Sequence, residues 1–244
     1  MTDQLFAEVR KLRSTRTNLG LLAGMVVLIL LTVLLNGLIS KPAALAGSKD
    51  QYMLLSAGTA GALFAALIGV MAITSEFRHG TIRPTFVVTP RRMRVFGAKV
   101  LASLLMGVVF GFVAIGLSFG IGYAILAGRG IAFALDAPDV LWLVFGTPAI
   151  TAAWAALGVG VGALVRNQVG AVIGLVVWAM VIDNLLRGLV PGIGGYTPVG
   201  ASAALVADPS DYVLSLAPGA SLLVAYVACA LAAGAVLLRR RDVA

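Results

Sequence analysis

Long apolar runs separated by short polar breaks organise the 244-residue chain. The runs fall at about 19–39, 52–75, 97–126, 140–165, 169–186 and 218–238. Each meets or exceeds the roughly 17–25 residues with which a helix crosses about 30 Å of hydrocarbon. In that solvent the backbone must satisfy its own hydrogen bonds, so each run is expected to be helical. The pattern predicts an all-α integral membrane protein with six transmembrane helices, a single transmembrane domain over residues 1–244. Ahead of the first run, Leu5, Val9 and Leu12 share a helical face while Glu8, Arg10 and Lys11 are expected to point elsewhere. Thr2 and Asp3 can cap this stretch, which predicts an amphipathic interfacial helix over residues 1–18.

The breaks carry their own signals. Lys41-Pro42 ends the first run, Gly80 can stop a helix, and Thr89-Pro90 can cap and begin the next. Pro148 predicts a bend in the fourth span. Arg166-Asn167-Gln168 makes a tight connection, and Asp183 and Arg187 stand one helical turn apart at the end of the fifth span. Residues 190–216 mix apolar positions (Leu189 and Val190 at the entry, then Ile193, Val199, Leu205, Val206) with Pro191, Gly192, Gly194, Gly195, Pro198 and Gly200. That mixture is too apolar for a solvated loop and too broken for a span. It predicts a re-entrant helical hairpin packed against spans five and six, with Pro191, Gly195, Tyr196, Pro198, Asp183 and Arg187 as outer-gate candidates.

Small residues four apart, Gly107/Gly111, Gly116/Gly120 and Gly170/Gly174, allow close helix contact. Gly158, Gly160 and Gly162 alternate through span four and suit either tight packing or a moving element. The basic start, first apolar run and Ala44-Leu45-Ala46 imitate a signal peptide, but the run is longer than the usual 7–15 apolar residues of one.

Composition agrees: 60% of residues are hydrophobic and 11% charged, against about 25% charged in soluble domains. The net charge of +8 suggests nucleic acid only if the basic residues share a surface, and they do not. All but Lys41, Lys49, Arg129 and Arg187 of the 18 lie at the polar breaks on one side of the alternating topology. The positive-inside rule then places both termini and residues 76–96 in the cytoplasm of a bacterial inner membrane.

With no ionisable residue near the centre of any expected span, an ion-coupled translocation path is not indicated. Cys229 sits in the last run as lipid-facing or packing filler, with no disulfide framework. His79, the single histidine, reads as a solvated loop residue, so no catalytic or metal constellation is visible. No GxxxxGK[ST] pattern occurs, so no nucleotide is expected on this chain. Within residues 76–96, Glu76 stands among Arg78, Arg83, Arg91, Arg92 and Arg94. A carboxylate there suits an internal ion pair and a partner contact equally, while the arginines suit anionic headgroups.

The stretch Ser75-Glu76-Phe77-Arg78-His79-Gly80-Thr81-Ile82-Arg83-Pro84, followed by Thr89-Pro90-Arg91-Arg92, resembles the permease subunits of type-2 ABC exporters. The amphipathic start, six spans, broken segment before the last span and Arg239 to Asp242 tail resemble that family too. The resemblance implies a cytoplasmic coupling loop carrying Glu76, Phe77, Arg78, His79, Gly80, Thr81, Arg83, Pro90 and Arg91. It implies a transport subunit rather than an enzyme, with ATP and Mg on separate cytosolic ATPase subunits and no cofactor bound directly. It further implies a second permease copy, a homodimer in preference to a heterodimer, enclosing a substrate path among membrane lipids. The uncharged spans favour apolar or amphipathic cargo. A non-transporting membrane scaffold or assembly factor that recruits a cytosolic partner is the alternative of a different class.

Overall fold

Apolar length becomes helix at all six expected positions. A computed structural model describes residues 2–81, 92–190, 192–208 and 214–240. Its helices Arg16–Ile39, Ser48–Arg78, Arg92–Gly128, Ala137–Val165, Gln168–Leu189 and Leu216–Arg240 are long and apolar enough to cross a membrane, and are called spans one to six. The chain is therefore a multi-pass, all-α membrane protein by helix length and hydropathy. A shorter helix, Thr2–Ser14, precedes span one, so Thr2 and Asp3 belong to its first turn rather than preceding it.

Several boundaries depart from the apolar pattern. Span two starts at Ser48 and is broken by a 3-10 turn, Ser56–Ala60. There the Ser56 hydroxyl donates to the Met53 carbonyl (3.1 Å) and the Thr59 hydroxyl to that of Ser56 (2.8 Å). Such local back-bonding competes with regular α-helix. Span three has 37 residues, about 55 Å at 1.5 Å each, and so outruns a hydrocarbon core about 30 Å thick. Span four runs from Ala137 to Val165 through Pro148 as one helix. Span five contains a π turn, Trp178–Ile182, and continues past the expected end to Leu189.

Span four is the frame of the bundle, packed by spans two, three and six. Spans two and four are each 61% buried over their most apolar window, against 17% for spans five and six. The latter two therefore present most of their surface, including Ile173, Met180 and Val224, to lipid or to another chain. Backbone contact explains the glycines of span four: a Cβ on Gly158 would overlap the Ala66 carbonyl, and one on Gly69 that of Ala155. Gly160 faces Ala230 of span six instead. These residues serve tight packing. Of the three small-residue pairs, Gly107 and Gly111 meet Thr151, Ala152 and Pro148 of span four, whereas Gly116, Gly120 and Gly174 have open space beside them.

The segment after span five forms three short turns, Gly194–Tyr196, Pro198–Ala203 and Ala204–Val206. Broken helix packed against spans five and six was expected here. The turns pack on span six and, besides it, on span four, and Gly194–Tyr196 also meets the end of span five. Tyr52 of span two ties the segment down by donating its hydroxyl proton to the Val206 carbonyl. Leu189, Val190 and Tyr196 face outward.

Candidate functional site

At the basic end of the bundle, the helix Thr2–Ser14 lies against span three. Leu12 is buried, and so is Glu8, which corrects the expectation that Glu8 points away from the apolar face. Leu5, Glu8 and Leu12 stand at i, i+3 and i+7, a single helical stripe. Glu8 turns inward because Lys99, on span three, waits there with 2% of its side chain exposed.

The Lys99 ammonium uses all three of its protons: on Glu8 Oε2 (2.9 Å), Glu76 Oε1 (2.7 Å) and the Ala72 carbonyl (3.0 Å). Lys11 closes the cluster from the surface, with Nζ 3.0 Å from Glu76 Oε1 and 3.3 Å from Glu8 Oε1. Two carboxylates and two ammoniums cancel, which is how ions persist in a buried position. Burial acts to lower the Lys11 pKa, but the hydrogen bond and charge of Glu76, with Glu8 behind them, outweigh it and hold the group above its ordinary value of 10.5. Of the two roles open to Glu76, the structure shows the ion pair.

The cluster forms one wall of a cleft of about 490 Å³ that also reaches Asn18, Ser75, Arg78, His79 and Gln168. Glu76 Oε2 and Asn18 Oδ1 are buried there, and among the described residues no group donates to either. Beyond it, the predicted coupling residues divide. Glu76 is buried and Phe77 half-buried, with the Arg166 guanidinium 5.1 Å from the Phe77 ring centre. Arg78, His79, Gly80 and Thr81 are exposed, and Gly80 takes a positive φ of 66° where span two stops. Arg83, Pro90 and Arg91 lie outside the described residues, as do Arg241 and Asp242.

Two arginines seal the neighbouring helix end. Arg166, at φ 56° between spans four and five, donates to the Leu237 carbonyl (3.1 Å), and Arg92 donates to that of Leu238 (3.3 Å). Carbonyls at a helix C-terminus lack intrahelical partners and carry partial negative charge, so cations suit them. Asn167 caps span five by accepting from the Gly170 N–H (3.0 Å). The basic loops thus carry structural bonds as well as topology signals.

At the opposite end, Asp183 is 1% exposed and accepts from Arg187 Nε at 2.6 Å, the i,i+4 pair expected from their spacing. Gly195 and Pro198 are buried, Tyr196 is exposed, and its carbonyl accepts from the Tyr226 hydroxyl (2.7 Å). Pro191 lies outside the described residues. The sequence reading did not count Glu8, Lys11 or Lys99 among the site residues; the signal it passed over was Glu8 and Lys99 at positions that fall on packed faces.

Fold and site together define a six-helix membrane protein with a neutralised, buried charge cluster joining its first helix to spans two and three. No protein-family model matches the chain, and no curated protein matches it at a significant level.

Proposed function

We propose that this chain is the membrane-spanning permease subunit of an ATP-binding cassette exporter, coupled to separate cytosolic ATPase subunits and paired with a second permease copy in a bacterial inner membrane. One observation carries the reading. The motif resembling the exporter permeases stands at the basic end, with Arg78 to Thr81 exposed and Glu76, the residue just inside, fastened to Lys99 and Lys11. A protein docked on the exposed turn would press on a residue bonded to two other elements, so its movement would reach the N-terminal helix and span three. A loop that only anchored the chain to headgroups would not need that connection. The distribution of basic residues supports a cytoplasmic position for this end. The short turns between spans five and six, at the other end, are where an outer gate would stand.

The test is affinity purification of the tagged chain from membranes of its native host, with mass spectrometry and ATPase measurement on the eluate. A co-purifying ATPase is expected. Gly80→Leu, which alters the exposed turn at a positive φ, should lower ATPase recovery without lowering the yield of the chain. Recovery of a non-ATPase cytosolic protein instead would favour the scaffold alternative and overturn the proposal.

A further inference from the structure

The cleft of about 490 Å³ beside the charge cluster holds acceptors that the protein leaves unanswered. Glu76 and Asn18 line it, each 6% exposed, and among the described residues no group donates to Glu76 Oε2 or to Asn18 Oδ1. Most protons of the inner wall are committed elsewhere. Lys99 has its three on Glu8, Glu76 and the Ala72 carbonyl. The Thr15 hydroxyl donates to the Lys11 carbonyl and the Ser75 hydroxyl to that of Met71, both at 2.6 Å, while the Asn18 amide donates to the Leu12 carbonyl at 2.9 Å. His79 Nδ1 lies 2.8 Å from the Ser75 carbonyl, and since a carbonyl only accepts, that nitrogen carries the proton. A buried acceptor without a donor keeps its full desolvation cost, so the inner wall favours a ligand that brings N–H or O–H groups.

The mouth of the cleft has the opposite character. Glu8 and Glu76 answer Lys99 and Lys11, whereas Arg78 is exposed and meets the neutral amide of Gln168 at 3.4 Å. One positive charge is therefore left over among the lining residues. Acceptors within and a surplus cation outside match a zwitterion that enters ammonium first and keeps an anion behind it. Position adds the source: Asn18 and Gln168 stand at the starts of spans one and five, and the residues after them, Leu19 and Val169, are exposed apolar side chains. The cleft thus opens at headgroup level. We infer that it binds the headgroup of an aminophospholipid, with the primary ammonium on Glu76 Oε2 and Asn18 Oδ1, the phosphate diester on Arg78 and the acyl chains along spans one and five. Lys11, 55% exposed, is the movable part of the wall. An ammonium arriving on Glu76 takes its place without changing the charge of the cluster, and Lys11 then turns to the phosphate. A choline headgroup has the same charge but no N–H to give, and a glycerol headgroup gives hydroxyl protons without a cation. The site does not rest on the exporter reading, because lipid binding is read on the chain alone and either can fail without the other.

The purified chain, stripped of lipid in a neutral detergent at neutral pH, is titrated with phosphatidylethanolamine, its N-methyl and N,N-dimethyl derivatives, phosphatidylcholine and phosphatidylglycerol, all with the same acyl chains. Native mass spectrometry counts the lipid bound. The methylated series keeps the charge and removes N–H groups one at a time, so it reads the orphan acceptors without altering the protein. Phosphatidylethanolamine should saturate a site and bind at least about tenfold tighter than phosphatidylcholine, the discrimination expected of one charge-assisted hydrogen bond, with the two derivatives between. Arg78→Gln, a change at an exposed position, should weaken it by about the same factor, and Arg78→Lys should restore most of the loss. Asn18→Leu should shrink the spread of the methylated series, and where that variant misfolds the series in the unaltered chain decides alone. Equal binding of phosphatidylethanolamine and phosphatidylcholine would mean ordinary lipid contact and would overturn the inference. Tighter binding of phosphatidylglycerol would mean unselective attraction to anions, and displacement by an equal concentration of glycerophosphoethanolamine would assign the cleft to a soluble ligand. Either result would overturn it as well, as would full phosphatidylethanolamine affinity in Arg78→Gln.

Discussion

Replacing Lys99 by methionine keeps the volume of the side chain and removes its charge. The substitution deletes the three bonds from Nζ, at 2.7, 2.9 and 3.0 Å, and leaves Glu8 and Glu76 facing the same buried space. Lys11 remains as a counter-ion, but its side chain is 55% exposed and its distance to Glu8 is 3.3 Å, so it compensates in part. Breaking a buried ion pair on one side costs about 3–5 kcal/mol. At roughly 2–4 °C per kcal/mol for a chain of this length, the apparent Tm should fall by about 6–20 °C. Size-exclusion analysis of heated detergent extracts reads this directly. The triple variant Lys99→Met, Glu8→Gln, Glu76→Gln separates stranded charge from lost packing, because it removes the uncompensated carboxylates while keeping the shapes. It should recover most of the loss. A Lys99→Met protein within about 2 °C of wild type, or a triple variant no more stable than the single one, would refute the reasoning.

Span two and span four should resist side chains at their contact. Gly158→Leu should abolish a monodisperse peak, because its Cβ meets the Ala66 carbonyl, while Gly116→Ala, beside open space, should leave yield and Tm unchanged. Lys11 has a folded-state pKa raised above 10.5, so its contribution is complete below that value and is lost as pH rises through the higher folded-state pKa. Melting profiles should therefore show no Lys11-dependent change between pH 6 and 9, and Lys11→Met should differ from wild type least at the most alkaline pH. Topology is checked in a Cys229→Ala background: a cysteine at position 85 should react with an impermeant maleimide only after the membrane is opened, and labelling from outside intact cells would reverse the orientation.

The spans were legible because length and hydropathy are the membrane's own requirements, and they act on windows long enough to average out single residues. The 3-10 turn at Ser56–Ala60 and the π turn at Trp178–Ile182 were not, since each depends on local bonding or packing that hydropathy does not weigh. The charge cluster lay between these cases. Treating charge as solvent-seeking sends Glu8 outward, whereas its spacing from Leu5 and Leu12 puts it on the buried stripe. Lys99 adjoins Ala98 and Val100 in span three, so the two opposite charges imply each other once both faces are drawn. Among the described residues between spans five and six, the short helical turns fit the broken pattern of the sequence, but their contact with span four was set by residues far along the chain. Tyr52 and Val206 meet across 154 positions, a pairing that no local pattern encodes.

Span four shows how much a spacing can say when it is followed around the helix. Residues two apart on an α-helix point about 200° apart, and residues four apart point the same way. Gly158 and Gly162 must therefore share a face, and Gly160 must turn from it. The structure places the first two on Ala66 and Val70 of span two and the third on Ala230 of span six. Three interior glycines cost about 1 kcal/mol each relative to alanine, enough to weaken an isolated helix. Here that cost is offset by neighbours brought to backbone distance on both sides, with Gly107 and Gly111 of span three closing on Thr151 and Pro148 further along. Van der Waals packing is the main attraction left between helices in lipid, so a span without side chains at these points holds the bundle more closely than a bulkier one would.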